Sequence, residues 1–287
     1  METYANRGQS FLLQTQRADG SWPYHAGGAG YPEPTCYALL ALPEAEVSAR
    51  ERGLVWMEQR SAVTGAVTLE NDPAPHWTTS LALFTFAELA APEAWCTRCA
   101  EFLLSWEGVR VDPDPAIPLD PRLRGWPWTE GAFSWVEPTS YALLALKRAG
   151  CGTHSRVAEG ERLLLDRICG GGGWNYGNRE VLGRSLEPML DTTAWALLAL
   201  QGGAGVAAAV AEGLAILERQ VTQYPATLTL SLAILAGEVW EQPVEEWVSL
   251  LRRRQRIDGS WRGEVHLTAL ALLAMCAAEG EGNVFRL

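Results

Sequence analysis

Apolar and polar positions follow two patterns that alternate along the chain. In one pattern, nearly every position after an initial Thr or Asp is apolar, mostly Ala and Leu. Six segments follow it: 33–42, 77–86, 137–146, 191–200, 226–235 and 266–275. A helix without a polar face must be buried on all sides. The pattern therefore predicts six buried helices, with the Thr or Asp as candidate N-caps.

An amphipathic segment precedes each apolar one. The six amphipathic segments are roughly 3–16, 46–60, 93–106, 155–168, 205–220 and 243–255. Amphipathic helices can form the outside of a ring whose inside is apolar, so the sequence predicts an all-α (α/α)6 toroid of six inner and six outer helices. An open solenoid would have polar end caps. The last apolar segment is as apolar as the others, which favours closure onto the first.

No linker divides the chain, so residues 1–287 are predicted to form a single barrel domain. The longest irregular segment, about 107–136, is rich in Pro and Trp. Loops of this length are usually functional or disordered, and the Trp content favours an ordered lid. Loops that lead into the apolar helices are mostly longer than the turns that leave them. The N-termini of the inner helices are therefore expected to open onto the functional face.

The acidic composition argues against one class of partner. The formal net charge is −11, and an acidic chain repels the phosphates of nucleic acids. No charged segment followed by an apolar one begins the sequence, and no apolar run reaches the ~18 residues that span a bilayer. We therefore expect no signal peptide, no transmembrane segment and a cytoplasmic location.

The six cysteines include one CxxC pair, Cys96 and Cys99. No second CxxC accompanies it, and Cys99 falls on the apolar face of an amphipathic helix with Trp95 and Phe102. Core packing is the favoured interpretation, and a metal or redox role is the alternative.

Two loops at the ends of outer helices carry the same motif. They read Gln16-Arg-Ala-Asp-Gly-Ser-Trp22 and Gln255-Arg-Ile-Asp-Gly-Ser-Trp261, and residues 166–174 look like a degenerate third copy. The motif resembles the Gln-x-x-x-Gly-x-Trp repeats of squalene-hopene and oxidosqualene cyclases. Together with the apolar repeat, the resemblance covers nearly the whole chain. It implies the toroid of the squalene/terpene cyclase and prenyltransferase β-subunit superfamily more strongly than any one reaction.

Asp191 is the sharpest catalytic candidate. Class II terpene cyclases carry Asp-x-Asp-Asp-Thr-Ala at the start of an inner helix, and the middle Asp protonates the substrate. Residues 189–194 match this stretch, with Asp191 at the proton-donating position and Met189 and Thr192 in place of the other two acids. A neighbouring carboxyl helps to hold such a donor protonated. The alternative role of Asp191 is to cap its own helix.

Zinc-dependent prenyltransferase β-subunits offer a second resemblance. They use an Asp-x-Cys at one inner helix start and a His at a later one, to which Asp191 and His266 correspond. Thr193 stands where the cysteine is needed, and Thr is a poor zinc ligand. We therefore predict no metal site and no cofactor.

Other polar and aromatic residues share the inner helix starts. Glu33 and Glu137 occupy the position of Asp191 in their own repeats and are candidate acids or bases, or helix caps. Aromatic faces stabilise carbocations, and they also pack in ordinary cores. The candidate substrate-binding residues are Trp77, Tyr37, Tyr141, Trp195, His76 and His266, with Trp128 and Trp135 on the lid.

The resemblance and the residues together predict a terpene cyclase-like enzyme. It would act on an isoprenoid or another apolar small molecule by acid-initiated cyclisation, with Asp191 as the acid. A toroid without catalytic activity that binds a lipid, a peptide or a partner subunit is the alternative. A deep, aromatic-lined cavity that ends near Asp191 favours the enzyme.

Overall fold

A computed structural model describes residues 3–287, and helices dominate it. The outer helices are α1 (Tyr4–Thr15), α3 (Val47–Gln59), α5 (Glu93–Ser105), α7 (Ser155–Asp166), α9 (Ala207–Gln220) and α11 (Glu245–Arg252). The inner helices are α2 (Pro32–Ala41), α4 (Thr78–Glu88), α6 (Val136–Arg148), α8 (Leu190–Ala199), α10 (Thr227–Val239) and α12 (Val265–Ala278). A short antiparallel hairpin of β1 (Glu180–Val181) and β2 (Arg184–Ser185) lies in the loop before α8.

The inner helices form a closed ring. Each contacts the inner helix before it and the one after it, and α12 packs against α2. Each outer helix packs on the inner helix that precedes it in the ring, so α1 lies against α12. The predicted all-α (α/α)6 toroid is confirmed, and its alternation of apolar and amphipathic helices is the physical cause. Apolar side chains of both layers form one continuous core.

The loops with the Gln and Trp motif join neighbouring repeats. The amide of Gln16 donates hydrogen bonds to the carbonyls of Gly20 (3.0 Å) and of Ala49 in α3 (2.8 Å). Gln255 makes the equivalent bonds to Gly259 (2.9 Å) and to Tyr4 in α1 (2.8 Å). The last motif therefore docks onto the first outer helix, which closes the ring.

A Trp of the same kind lies within the irregular segment between α5 and α6. Trp126 is fully buried, and its indole N–H donates to the carbonyl of Leu103 at 2.8 Å. Trp22, Trp174 and Trp261 donate in the same way to Leu12, Leu164 and Leu251. Residues 107–136 are predicted to form a lid, but the side chain of Trp126 in this segment belongs to the core between α5 and α6.

None of the helices within residues 3–287 combines the length and the apolarity that a bilayer-crossing segment needs.

Candidate functional site

A cavity of ≈ 350 Å³ opens at the N-terminal ends of the inner helices. The first turns of α2, α6 and α8 contribute Glu33, Glu137 and Asp191 to its wall, and α12 contributes His266. The remaining lining residues are mostly aromatic or apolar: Tyr37, Trp77, Trp128, Tyr141, Tyr176, Met189, Thr192, Trp195, Leu228 and Leu270. The structure thus brings most of the predicted site residues to one place, because equivalent repeat positions face the same mouth.

Each of the three carboxyl groups has a hydroxyl partner from a neighbouring element. Thr192 donates to Oε1 of Glu137 at 2.5 Å, and Thr229 donates to Oδ1 of Asp191 at 2.6 Å. The phenol of Tyr24 donates to Glu33. These hydroxyls orient the carboxyls.

The three carboxyls lie in the first turns of their helices, and the hydrogen bonds found for them run to Tyr24, Thr192 and Thr229 rather than to amides of their own helices. Asp191 instead bonds Thr229 across the gap between α8 and α10. The hydrogen bonds therefore leave Asp191 available to the cavity rather than to the amides of α8.

Burial raises the pKa of all three carboxyls. For Asp191, desolvation is the largest cause and the Thr229 hydroxyl opposes it. The pKa of Glu137 is raised by burial and then by the charge of Asp191. The pKa of Glu33 is likewise raised by burial and then by the charge of Glu137. A raised pKa extends the pH range in which a carboxyl can donate a proton.

Aromatic rings form the floor and one wall of the cavity. The rings of Tyr141 and Trp195 lie 4.5 Å apart between centroids, and those of Trp77 and Tyr141 lie 4.7 Å apart. Tyr37 stacks on Trp195 at 6.5 Å, and Trp128 meets Trp77 edge-on at 5.4 Å. Such a surface binds apolar groups and stabilises a cation above the ring faces.

His266 lies on the opposite wall beside the carboxyl of Glu264. Its Nε2 is 3.9 Å from Oε2 of Glu264, and its ring meets Tyr24 edge-on at 5.2 Å. Burial lowers the pKa of His266. The neutral imidazole is therefore favoured, and it can accept a proton.

Two predicted binding residues lie outside this cavity. His76 contacts Asp72 through Nε2 at 3.1 Å, in the loop before α4. Trp135 stacks on Phe133 with 4.6 Å between ring centroids. Local partners hold both side chains and neither lines the cavity, so a role of either in substrate binding stays a prediction. Trp128 does reach the lining, where it packs on Trp77.

Thr193 occupies the position where a zinc-binding cysteine is expected. Its hydroxyl accepts the main-chain N–H of Trp174 at 3.0 Å and is fully buried. Between residues 3 and 287, no group of three His, Cys, Asp or Glu side chains is arranged to hold a metal ion.

An open groove of ≈ 640 Å³ adjoins the cavity beside α8. Met189 and Asp191 line both spaces. The groove lies where residues 221–226 form the shortest connection from an outer helix to an inner one. Because this connection is short, the groove leaves Asp191 accessible to solvent and ligands on this side of the ring.

Sequence reasoning missed several residues of the site. Tyr24 and Tyr176 each lie two residues after a motif Trp, Trp22 and Trp174, and Thr229 lies in the weakest apolar repeat. The available signals were this spacing, which Trp128 shares after Trp126, and Thr192, a polar neighbour of Asp191 in a mostly apolar helix.

No family model and no curated protein matches the chain. Solved structures do match. A protein from Actinoplanes is 19% identical, with a TM-score of 0.66 over 96% of this chain and 98% of that chain. A variant of the type II terpene cyclase MstE from Scytonema, in complex with geranylgeranyl dihydroxybenzoate, is 16% identical. Its TM-score is 0.68 over 96% of this chain and 97% of that chain.

An α-1,6-mannanase of Salegentibacter has the same fold. It is 10% identical, with a TM-score of 0.66 over 96% of this chain and 98% of that chain. At these identities the comparisons show a shared toroid, including that of a terpene cyclase. The same toroid hosts different reactions, which depend on the residues of the site rather than on the fold.

Proposed function

We propose that this chain is a terpene cyclase-like enzyme that starts the cyclisation of an isoprenoid, or of another apolar substrate, by protonation. The observation that carries the proposal is the half-buried carboxyl of Asp191, with a raised pKa, at the edge of an aromatic-lined cavity. The toroid of MstE, which has been solved with a geranylgeranyl dihydroxybenzoate substrate, supports the same class of ligand.

Asp191 is the proposed acid. Thr229 donates to Oδ1, so the proton of the neutral carboxyl resides on Oδ2. Transfer of that proton to a substrate alkene leaves a carbocation on the substrate and a carboxylate on Asp191. The Thr229 hydroxyl stabilises this carboxylate.

The aromatic surface then stabilises the cation as rings close. Trp77, Tyr141 and Trp195 present a continuous set of rings along the cavity. Loss of a proton from the cyclised cation completes the reaction, and Glu137 and Glu33 are the proposed acceptors because both face the same space. We further propose that residues 1–287 act as a single barrel domain.

Turnover of geranylgeranyl dihydroxybenzoate and of simple prenyl alcohols, followed by mass spectrometry and NMR of the products, tests the proposal. We expect Asp191→Asn to lower kcat by about 10²–10⁴-fold, the usual contribution of a general acid. Asp72→Asn is the matched control because Asp72 lies outside the cavity and its pKa is lowered rather than raised. Equal turnover by Asp191→Asn and the wild-type protein would contradict the role of Asp191.

Two results would favour other functions. Tight binding of a prenyl ligand without any conversion, unchanged in Asp191→Asn, indicates a toroid that only binds its ligand. Release of sugar from α-1,6-mannotriose indicates glycoside hydrolysis, which also uses paired carboxyl groups. Both assays use the same purified protein.

A further inference from the structure

The chain that follows α12 crosses the end of the ring opposite the cavity. Its residues 283–287, here called the plug segment, lie against the C-terminal ends of three inner helices. Asn283 donates to the carbonyl of Leu235 in α10 at 2.9 Å, and Arg286 donates to Glu238 of the same helix. The other hydrogen bonds come from α6 and from the turn after α8, and the ring of Phe285 packs on α4 and α8.

Side chains of the ring bind the backbone of the plug segment. Arg148, at the end of α6, donates to the carbonyls of Val284 (2.6 Å) and Arg286 (2.7 Å). Gln201 donates to the carbonyl of Phe285 at 2.7 Å and accepts the N–H of Leu287 at 3.0 Å. Arg148 is itself held by Glu88, with Nε and Oε2 3.1 Å apart. Main-chain recognition of this kind is typical of a bound peptide.

Phe285 fills the bore of the ring. It is 1% exposed, stacks on Phe84 at 5.1 Å between centroids, and meets Trp195 edge-on at 5.5 Å. Trp195 is part of the cavity floor. The ring of Phe285 therefore lies directly behind that floor and supports it from the far side.

We propose that the far mouth of the ring is a peptide-binding site filled by the plug segment, and that Phe285 sets the depth of the cavity. In this arrangement Phe285 determines the longest apolar ligand that the cavity accepts. The inference rests on the proposed function only for the class of ligand. The support of the floor by Phe285 is independent of any reaction.

Geraniol, farnesol and geranylgeraniol form a series that differs only in the number of isoprene units. Calorimetric dissociation constants for this series test the proposal in the wild-type protein and in Phe285→Ala. We expect the preference for geranylgeraniol over geraniol to rise about tenfold in the variant, because a deeper cavity buries the additional apolar chain. Phe285→Leu, which keeps most of the side-chain volume, is expected to shift the preference less.

Phe86→Ala is the matched control. Phe86 is as buried as Phe285, but it packs on Trp95 between α4 and α5 rather than in the bore. We expect this variant to lose stability while its length preference stays within about threefold of the wild-type value. A cooperative thermal transition identifies which variants are folded. An unchanged length preference in folded Phe285→Ala and Phe285→Leu would overturn the proposal.

A second measurement needs no isoprenoid. Crystals of Phe285→Ala under xenon pressure are expected to show Trp195 displaced toward Phe84 and xenon at the deepened floor of the cavity. An unmoved Trp195, with xenon confined to a closed space behind it, would overturn the proposal. Failure of the wild-type protein to bind any of the three alcohols would count against the proposed function alone, and the xenon experiment would still decide the role of Phe285.

Discussion

Three carboxyl groups at the mouth of the ring lie where a negative charge is costly. Glu33, Glu137 and Asp191 are each desolvated, and the charge on one raises the pKa of the next. A hydroxyl partner offsets part of this cost at each position. Such an arrangement lowers stability at neutral pH and places carboxyls with raised pKa beside the cavity, which is typical of a catalytic site.

Replacement of Asp191 by Asn should therefore raise the free energy of unfolding at neutral pH. The pKa of Asp191 is raised in the folded state above its ordinary value of 3.8. Between the unfolded and the folded pKa, the folded state binds more protons, so the contribution of Asp191 to stability falls as the pH rises. The increase in the free energy of unfolding of Asp191→Asn should be greatest at neutral pH and should vanish as the pH falls to 3.8.

Urea unfolding of the wild-type protein and of Asp191→Asn across this pH range measures the gain. Asp72→Asn is expected to lower the free energy of unfolding at neutral pH, because hydrogen bonds from the main chain of Ala74 and from His76 lower the pKa of Asp72. Equal effects of the two substitutions at every pH would show that burial does not determine the charge of Asp191.

The sequence was sufficient to predict the carboxyls and most of the aromatic residues of the site. Glu33, Glu137 and Asp191 repeat at one position of equivalent helices, so a ring necessarily places them at one mouth. The partners of these residues could not be predicted in the same way. Tyr24 bonds Glu33 and His76 bonds Asp72 from loops, whose side chains take their partners from local contacts that the periodicity of the helices does not determine.

At the scale of elements, a Thr of the inner helix anchors the loop before it. The hydroxyls of Thr35, Thr139, Thr193 and Thr268 accept the main-chain N–H of a buried Trp, and Thr79 accepts that of Val67. The sequence indicated these Thr residues as N-caps. They instead bind the incoming loop, because each lies within the first turns of its helix and faces the Trp.

Thr193→Val should destabilise the protein by about 1–3 kcal/mol, since it leaves the buried N–H of Trp174 without its acceptor. Thr85→Val is the matched control. Thr85 is equally buried, but its hydroxyl donates to Leu81 at 2.8 Å, one turn back in the same helix, and accepts no main-chain N–H. Urea unfolding measures both variants, and similar losses in the two would mean that the Trp174 bond contributes nothing beyond side-chain shape.

The helices were predictable because the repeat of apolar residues along the chain is strong. The copy of the loop motif that contains Trp126 was missed for a physical reason. Trp126 takes the same place as Trp22, but a long insertion separates it from the end of α5. The spacing from Gln to Trp is therefore lost in that repeat. The buried indole, with its bond to Leu103, remains.

At the scale of the whole molecule, stability depends on how the last repeat meets the first. Gln255 bonds the carbonyl of Tyr4 and accepts from Arg7 at 2.8 Å. Gly259 lies at φ +84°, and a Cβ there would overlap the carbonyl oxygen of Arg7. This contact joins the two ends of the chain, so it distinguishes a closed ring from an open array of repeats.

Gly259→Ala tests closure, and Gly27→Ala is its control. Gly27 has a similar φ of +80°, but a Cβ there meets nothing within 4 Å. Gly27→Ala should lower the free energy of unfolding only by the strain of a left-handed residue, about 1–2 kcal/mol. Gly259→Ala should cost about 1–3 kcal/mol more, because the added methyl separates α1 from the last loop.

Hydrogen exchange of main-chain amides shows which helices lose stability in Gly259→Ala. Opening a closed ring weakens every repeat, because each inner helix depends on two neighbours, and unfolding remains one cooperative transition. In an open array the repeats would be stabilised only by their nearest neighbours, and the substitution would expose α1 alone. We therefore expect amides of α6, on the far side of the ring, to lose as much protection as those of α1. Loss confined to α1 would contradict closure as the source of stability.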